Sequence, residues 1–118
     1  MDAGRALADL VEISPQIEAA AVIAGDGTVA GAVGVPENRA DAFARAAREL
    51  LERAAAFRGD GARLTQIHAA LDDGEVFAVT GADGRIVVAA VSERTAPGLV
   101  FYDLKRCLAA VEEDRVGE

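Results

Sequence analysis

Ala21-Val22-Ile23-Ala24-Gly25-Asp26-Gly27-Thr28-Val29-Ala30 sets a Gly-Asp-Gly step between two apolar runs, Ile17 to Ala24 and Val29 to Val35. An Asp-Gly pair flanked by apolar residues signals a hairpin, because a type I′ turn needs φ > 0 at both central positions, which Asp tolerates and Gly takes without strain. The stretch therefore predicts two antiparallel strands. Gly31 and Gly34, inside the second run, predict a bulge or the close approach of another backbone. The same step recurs at Asp73-Gly74 and Asp83-Gly84, dividing the second half of the chain into Arg63 to Leu71, Glu75 to Thr80 and Arg85 to Val91. These read as an antiparallel meander. Ile86 to Val91 is apolar on both faces, as suits a strand covered on both sides. In Arg63 to Leu71, Thr65, Ile67, Ala69 and Leu71 face one way and Leu64, Gln66, His68 and Ala70 the other. That mixed strand is expected at an edge of the sheet.

Between the hairpin and the meander lies one long Ala/Arg/Glu-rich stretch, opened by Pro36-Glu37-Asn38 and running to Arg58. It predicts a helix with Asn38 as N-cap and Asp41 in the first turn, where the helix dipole favours an acid. Phe43, Ala47, Leu50, Ala54 and Phe57 recur along it at four, three, four, three, and Ala40, Ala44, Leu51 and Ala55 form a second seam beside them. Asp41, Arg45, Arg48, Glu49, Glu52 and Arg53 take the remaining face. Two readings fit: alanine is simply the best helix former, or the helix is buried twice, once on its own sheet and once on a partner chain. A shorter amphipathic helix is predicted over Asp2 to Glu12, with Ala6, Leu7, Leu10 and Val11 on its apolar stripe. It stops near Ser14-Pro15, because the residue before proline is pushed out of the α region. A last helix is predicted over Leu99 to Glu113, with Leu99, Tyr102, Leu104, Leu108 and Val111 at roughly helical spacing, and residues 114–118 are expected to fray. Helix, hairpin, long helix, meander and C-terminal helix make an α+β fold in a single domain over residues 1–118.

Composition narrows the function. The chain is 52% hydrophobic but only 4% aromatic, without Trp, so its core must be built from Ala, Val, Leu and Ile. Net charge is -8, and the cations, eleven Arg and Lys105, form no basic cluster. Direct binding to nucleic acid or to an anionic membrane is therefore disfavoured. No basic leader and no apolar run near the ~20 residues of a membrane span is present, which predicts a soluble cytoplasmic protein. The single cysteine, Cys107, excludes an internal disulfide and a cysteine-based metal cage, and it reads as a small core hydrophobe. His68 has no second histidine or carboxylate pair at ligand spacing and reads as satisfied or solvent-facing. The glycine-rich segments at 25–27 and 81–84 lack the Lys-Ser/Thr of a phosphate loop. No catalytic, metal-binding or cofactor-binding residue, and no cofactor, is expected. Surplus apolar helix surface and an unpaired strand edge point instead to protein association.

Several stretches together resemble the Roadblock family, the dynein light chain and bacterial gliding-regulator type of domain. They are Leu7-Ala8-Asp9-Leu10, Ile17 through Gly27, the alanine-rich helix, Gly84-Arg85-Ile86-Val87-Val88, and Gly98-Leu99-Val100-Phe101-Tyr102-Asp103-Leu104. The likeness spans Leu7 to Val111 and departs at the featureless Gly31-Ala32-Val33-Gly34. It implies a profilin-like α/β/α sandwich, with a five-stranded antiparallel sheet between the long helix on one face and the terminal helices on the other. It also implies homodimers that join sheets and pack central helices, and a role as regulator or scaffold of a small Ras-like GTPase, in some members stimulating hydrolysis without supplying a catalytic arginine. Candidate dimer-interface residues are Phe43, Ala47, Leu50, Leu51, Ala54 and Phe57 on the helix and Thr65, Ile67 and Ala69 on the strand. Alternative readings are a structural adaptor in a signalling or motor complex, and a small-molecule sensor domain of PAS or GAF type.

Overall fold

The computed structural model describes residues 1–57, 59, 61, 63–92 and 95–116, with side chains as far as Glu112. Helix α1 spans Ala3–Ile13, capped by Asp2, whose carboxylate accepts the Arg5 N–H at 2.9 Å. A side-chain oxygen here satisfies one of the N–H groups that a helix start leaves without an intrahelical partner. The helix stops at Ser14, where the proline was expected to stop it, and buries Ala6, Leu7 and Leu10. Strands β1 (Ile17–Ile23) and β2 (Val29–Val33) form the hairpin. After α2 (Ala40–Ala55) come β3 (Gln66–Leu71), β4 (Gly74–Thr80), β5 (Ile86–Val91) and α3 (Pro97–Val116).

The five strands run in the order β2-β1-β5-β4-β3, and every neighbouring pair is antiparallel. β5 therefore sits at the centre, buried on both faces, and β3 lies at an edge. Both positions match the patterns of apolar residues in those strands. α1 and α3 cover one face, packing Leu7, Leu10, Val100, Leu104 and Cys107 onto Val22, Phe77, Val87 and Ala89. α2 covers the other through Ala44, Ala47 and Leu51, which meet Ala21, Ile23, Ala78, Ile86 and Val88. Side chains of period two supply both cores from one sheet.

The turns correct one expectation. Neither Asp26 nor Asp83 has positive φ; Gly27 (φ 92) and Gly84 (φ 87) alone take the left-handed conformation. The Asp26 carboxylate accepts the N–H of Thr28 at 2.9 Å, and Asp83 does the same for Arg85 at 3.1 Å. That bond two residues onward is an Asx-type turn, and it leaves only the glycine to turn left-handed. At the third step the loop is Asp72-Asp73, and Gly74 already belongs to β4, paired with Leu71. A Cβ on Gly74 would lie 2.3 Å from the carbonyl oxygen of Val91, so close backbone approach, not the turn, requires glycine there. Gly34 meets the expectation of close approach: at φ 73, a Cβ would fall 2.0 Å from the Glu18 carbonyl oxygen. A register shift in the β1–β2 pairing falls between Val22 and Ile23, which accounts for the irregularity expected in this hairpin.

The helices bring further corrections. Asn38 is not an N-cap; it lies within a 3-10 turn over Glu37–Arg39, and α2 starts at Ala40 with no side-chain cap. Pro36, held at φ -55 and ψ 142, begins that turn early, and its carbonyl accepts the Arg39 N–H at 2.8 Å. Asp41 does occupy the first turn. The helix ends at Ala55 with a closing turn through Phe57, and the expected terminus, Arg58, lies outside the described residues. In α3 the buried stripe is Val100, Leu104, Cys107, Leu108 and Val111, while Leu99 and Tyr102 are 67% and 59% exposed. A period of 3.6 counted back from Val111 reaches Val100 and not its neighbours. The expected fraying falls on residues 114–118, whose side chains, and for 117 and 118 also the backbone, lie outside the described residues.

Cys107 sits in this stripe at 5% exposure, and burial, helped by the charge of Asp9, pushes its thiol up to about 11. The thiolate is the nucleophile, so alkylation by iodoacetamide at pH 8 is expected to be slow in the folded protein and of ordinary rate in urea. Because the folded value is raised, the neutral thiol contributes its full stability below the unfolded value of 9.0 and loses it as pH climbs toward 11. Fast labelling of the folded chain would contradict this packing.

Candidate association surface

α2 does not lie over the middle of its sheet. It approaches β1 and β2 most closely, and although Ala78 on β4 is buried in the same cluster as the helix, the β3 edge of that face is less fully covered. Along this strip Ile67, Ala69 and Val76 are half-buried and Leu71 is 57% exposed. β3, at the edge, has no strand beyond it among the described residues. A row of unpaired edge groups next to incompletely covered apolar residues is a template for another chain.

One flank of α2 carries Phe43, Ala46, Leu50, Ala54 and, in the closing turn, Phe57. Phe57 is 92% exposed, Ala46 is exposed, and Phe43, Leu50 and Ala54 are half-buried. Ala47 and Leu51, at 6% each, belong to the core beneath the helix. The two seams read from the sequence are thus one broad arc, with Ala44, Ala47 and Leu51 on the sheet and the Phe43-Leu50-Phe57 side turned outward. Thr65 is exposed just before β3, beside the Ile67 and Ala69 strip. The candidate residues therefore fall into an outward group and an inward pair. Leu71, Val76 and Ala46 extend the outward group. Alternation from Ile67 onward already placed Leu71 there, and Val76 pairs directly with Ala69 across the β3–β4 ladder.

His68 lies on the opposite face of β3. Its Nε2 is 2.5 Å from Glu75 Oε2, and its ring stacks on Phe77 with centroids 4.5 Å apart and planes 5° from parallel. Glu75, 7% exposed, also accepts the Thr95 N–H at 3.0 Å. The histidine and carboxylate tie the edge strand to β4 and to the segment entering α3, a structural arrangement for a buried acid. Among the described residues no cluster of three or more His, Cys, Asp or Glu side chains is placed to hold a metal ion. No helix among them is long and apolar enough to cross a membrane. At the hairpin tip the Asp26 carboxyl is held below its ordinary value, chiefly by the hydroxyl of Thr28.

No family model and no curated protein matches the sequence. Solved structures do. A Roadblock/LC7 domain from Streptomyces avermitilis is 24% identical with a TM-score of 0.84, the match covering 98% of this chain and 99% of that one. Myxococcus xanthus MglB is 13% identical with a TM-score of 0.77, covering 95% of this chain and 88% of that one. Profilin II from Acanthamoeba castellanii, 16% identical, has a TM-score of 0.63 over 94% of this chain and 98% of that one. The chain has the fold of the Roadblock/LC7 structures, and the profilin-like α+β sandwich expected from its sequence is present.

Proposed function

We propose that this chain is a non-enzymatic, homodimeric regulator or scaffold of a small Ras-like GTPase, acting in the cytoplasm as a single domain over residues 1–118. The observation that carries the reading is an α2 that approaches β1 and β2 most closely and has an outward apolar flank, together with a less covered edge strand β3. One second copy related by a two-fold axis covers both, since each chain offers a helix and an edge to the other. The interface consists of Phe43, Leu50, Ala54 and Phe57 with Thr65, Ile67 and Ala69, while Ala47 and Leu51 support it from below. Regulation without chemistry of its own is consistent with a histidine engaged by Glu75 and a buried thiol. The GTPase reading draws on the fold shared with a structure described as a gliding protein, MglB, from Thermus thermophilus, 19% identical over 91% of this chain. A structural adaptor would use the same self-association surface.

Affinity capture from source-cell lysate separates the two. With a tagged protein loaded in parallel with a non-hydrolysable GTP analogue and with GDP, a small GTPase is expected in the first eluate and not in the second. Recovery of other proteins regardless of nucleotide would replace the GTPase reading with the adaptor one.

A further inference from the structure

We propose that the groove between α1 and α3 is a docking site for a basic amphipathic helix of a partner protein, which sets one apolar side chain in the groove and pairs a neighbouring Lys or Arg with Asp9. The groove lies on the face of the sheet opposite α2, so it is distinct from the surface assigned to self-association and does not depend on it. The large hydrophobic side chains that are more than half exposed divide between these two faces. Phe57 and Leu71 belong to the α2 side, whereas Ile13, Leu99 and Tyr102 belong to the α1–α3 side. Self-association through α2 and β3 covers the first group and leaves the second exposed.

That second group continues the groove. The two helices run antiparallel: the Ser14 hydroxyl, at the end of α1, donates to Asp103 near the start of α3, while Ala6, early in α1, shares the groove with Ala110, far along α3. Leu99, Asp103, Arg106 and Ala110 recur at four, three, four and so form the flank of α3 beside α1. Ala6, Leu10 and Cys107 lie between the helices, and Ile13 stands at the same end as Leu99. The groove holds about 150 Å³, roughly the size of an apolar cavity that accepts benzene, so it has room for one leucine- or phenylalanine-sized group. A groove of this kind is a recurring seat for the apolar face of a further helix. The charges decide the sign of the partner. Asp103 is taken by Ser14, and the Arg106 guanidinium lies over the Tyr102 ring, 5.8 Å from its centroid. Asp9 is exposed at the rim and has no hydrogen-bond or ion-pair partner among the described residues. A cation from a partner satisfies it, an acidic segment meets like charge, and the net charge of -8 draws a cationic segment in from a distance.

Fluorescence anisotropy with two labelled helical peptides tests the site. One carries leucines at i, i+3, i+4 and i+7 with lysines between them, and its twin has glutamate in place of every lysine. The lysine peptide is expected to bind and the glutamate peptide is not. Ala110→Phe, which fills the groove, and Asp9→Lys, which reverses its free charge, are each expected to weaken binding about tenfold or more, with the thermal midpoint of the protein unchanged. Glu52→Lys makes the same charge change on the exposed side of α2, and is expected to weaken binding far less because salt screens a charge at that distance. Should Ala110→Phe fail to fold, the Asp9 and Glu52 pair decides the matter. Equal losses from those two variants would show that the peptide follows diffuse negative charge and would overturn the site. So would a lysine peptide that does not bind, a glutamate peptide that binds as well, or a folded Ala110→Phe protein that binds as tightly as the wild type.

Discussion

Phe77→Ala is expected to destabilise the fold by about 3–5 kcal/mol, the range for removing a fully buried phenylalanine. Phe77 is 0% exposed on the penultimate strand β4, stacked on His68 and met edge-on by Phe101 at 5.3 Å. The two ring contacts add to the area term by about 0.5–1.5 kcal/mol each. The rest of this core is mainly Ala, Val and Leu, so little besides the His68 and Phe101 rings is large enough to fill the vacancy. The cost should therefore lie toward the upper part of the range. Chemical denaturation read by circular dichroism measures it directly, and a loss below about 1 kcal/mol would mean that the sheet collapses around the void. The substitution also removes the surface on which His68 rests, so amide exchange in β3 is expected to rise before global unfolding.

Ala47→Glu and Ala54→Glu look equivalent in the sequence, since both fall on the same four-three seam and both would place a carboxylate in a partner interface. The tertiary arrangement separates them. Ala47 is 6% exposed and faces the core over Ala21 and Val88, so a glutamate there is an unpaired buried charge. It is expected to cost about 3–5 kcal/mol of monomer stability, comparable to breaking a buried ion pair. Ala54 is half-buried on the outward flank, where a surface substitution alters monomer stability by only about 0.5 kcal/mol. Its effect should appear instead as loss of the dimer, because there the charge meets a second helix. Thermal melting and sedimentation velocity on both variants distinguish the cases. A fully dimeric Ala54→Glu protein would remove the α2 flank from the interface.

Much of the architecture was legible because it is written in local periodicity. Alternation of apolar residues and the Asp-Gly steps located all five strands, and the pattern apolar on both faces in Ile86 to Val91 marked that strand as covered on both sides. The mixed character of Arg63 to Leu71 placed it at the edge. What failed were the fine boundaries and turn types. Asn38 has the residue type of an N-cap, but Pro36 started a 3-10 turn ahead of it; Asp26 tolerates positive φ, but its carboxylate found the Thr28 N–H instead. In both, a specific hydrogen bond or a fixed dihedral outweighed a statistical preference.

The candidate surface was only half legible for a related reason. Sequence by itself determined that α2 carries a wide apolar arc and that β3 is an edge, since these depend on residue type and spacing along one element. Which part of the α2 arc faces inward depends on where the helix sits across the sheet, and that is decided by contacts between distant segments. The chain must cross from edge strand β2 to edge strand β3, and α2 packs near the side it leaves, with Ala44, Ala47 and Leu51 against β1 and β5 residues. Tertiary packing alone thus turned Leu50 and Phe57 outward and left the β3 edge of that face incompletely covered, because the helix approaches β1 and β2 most closely.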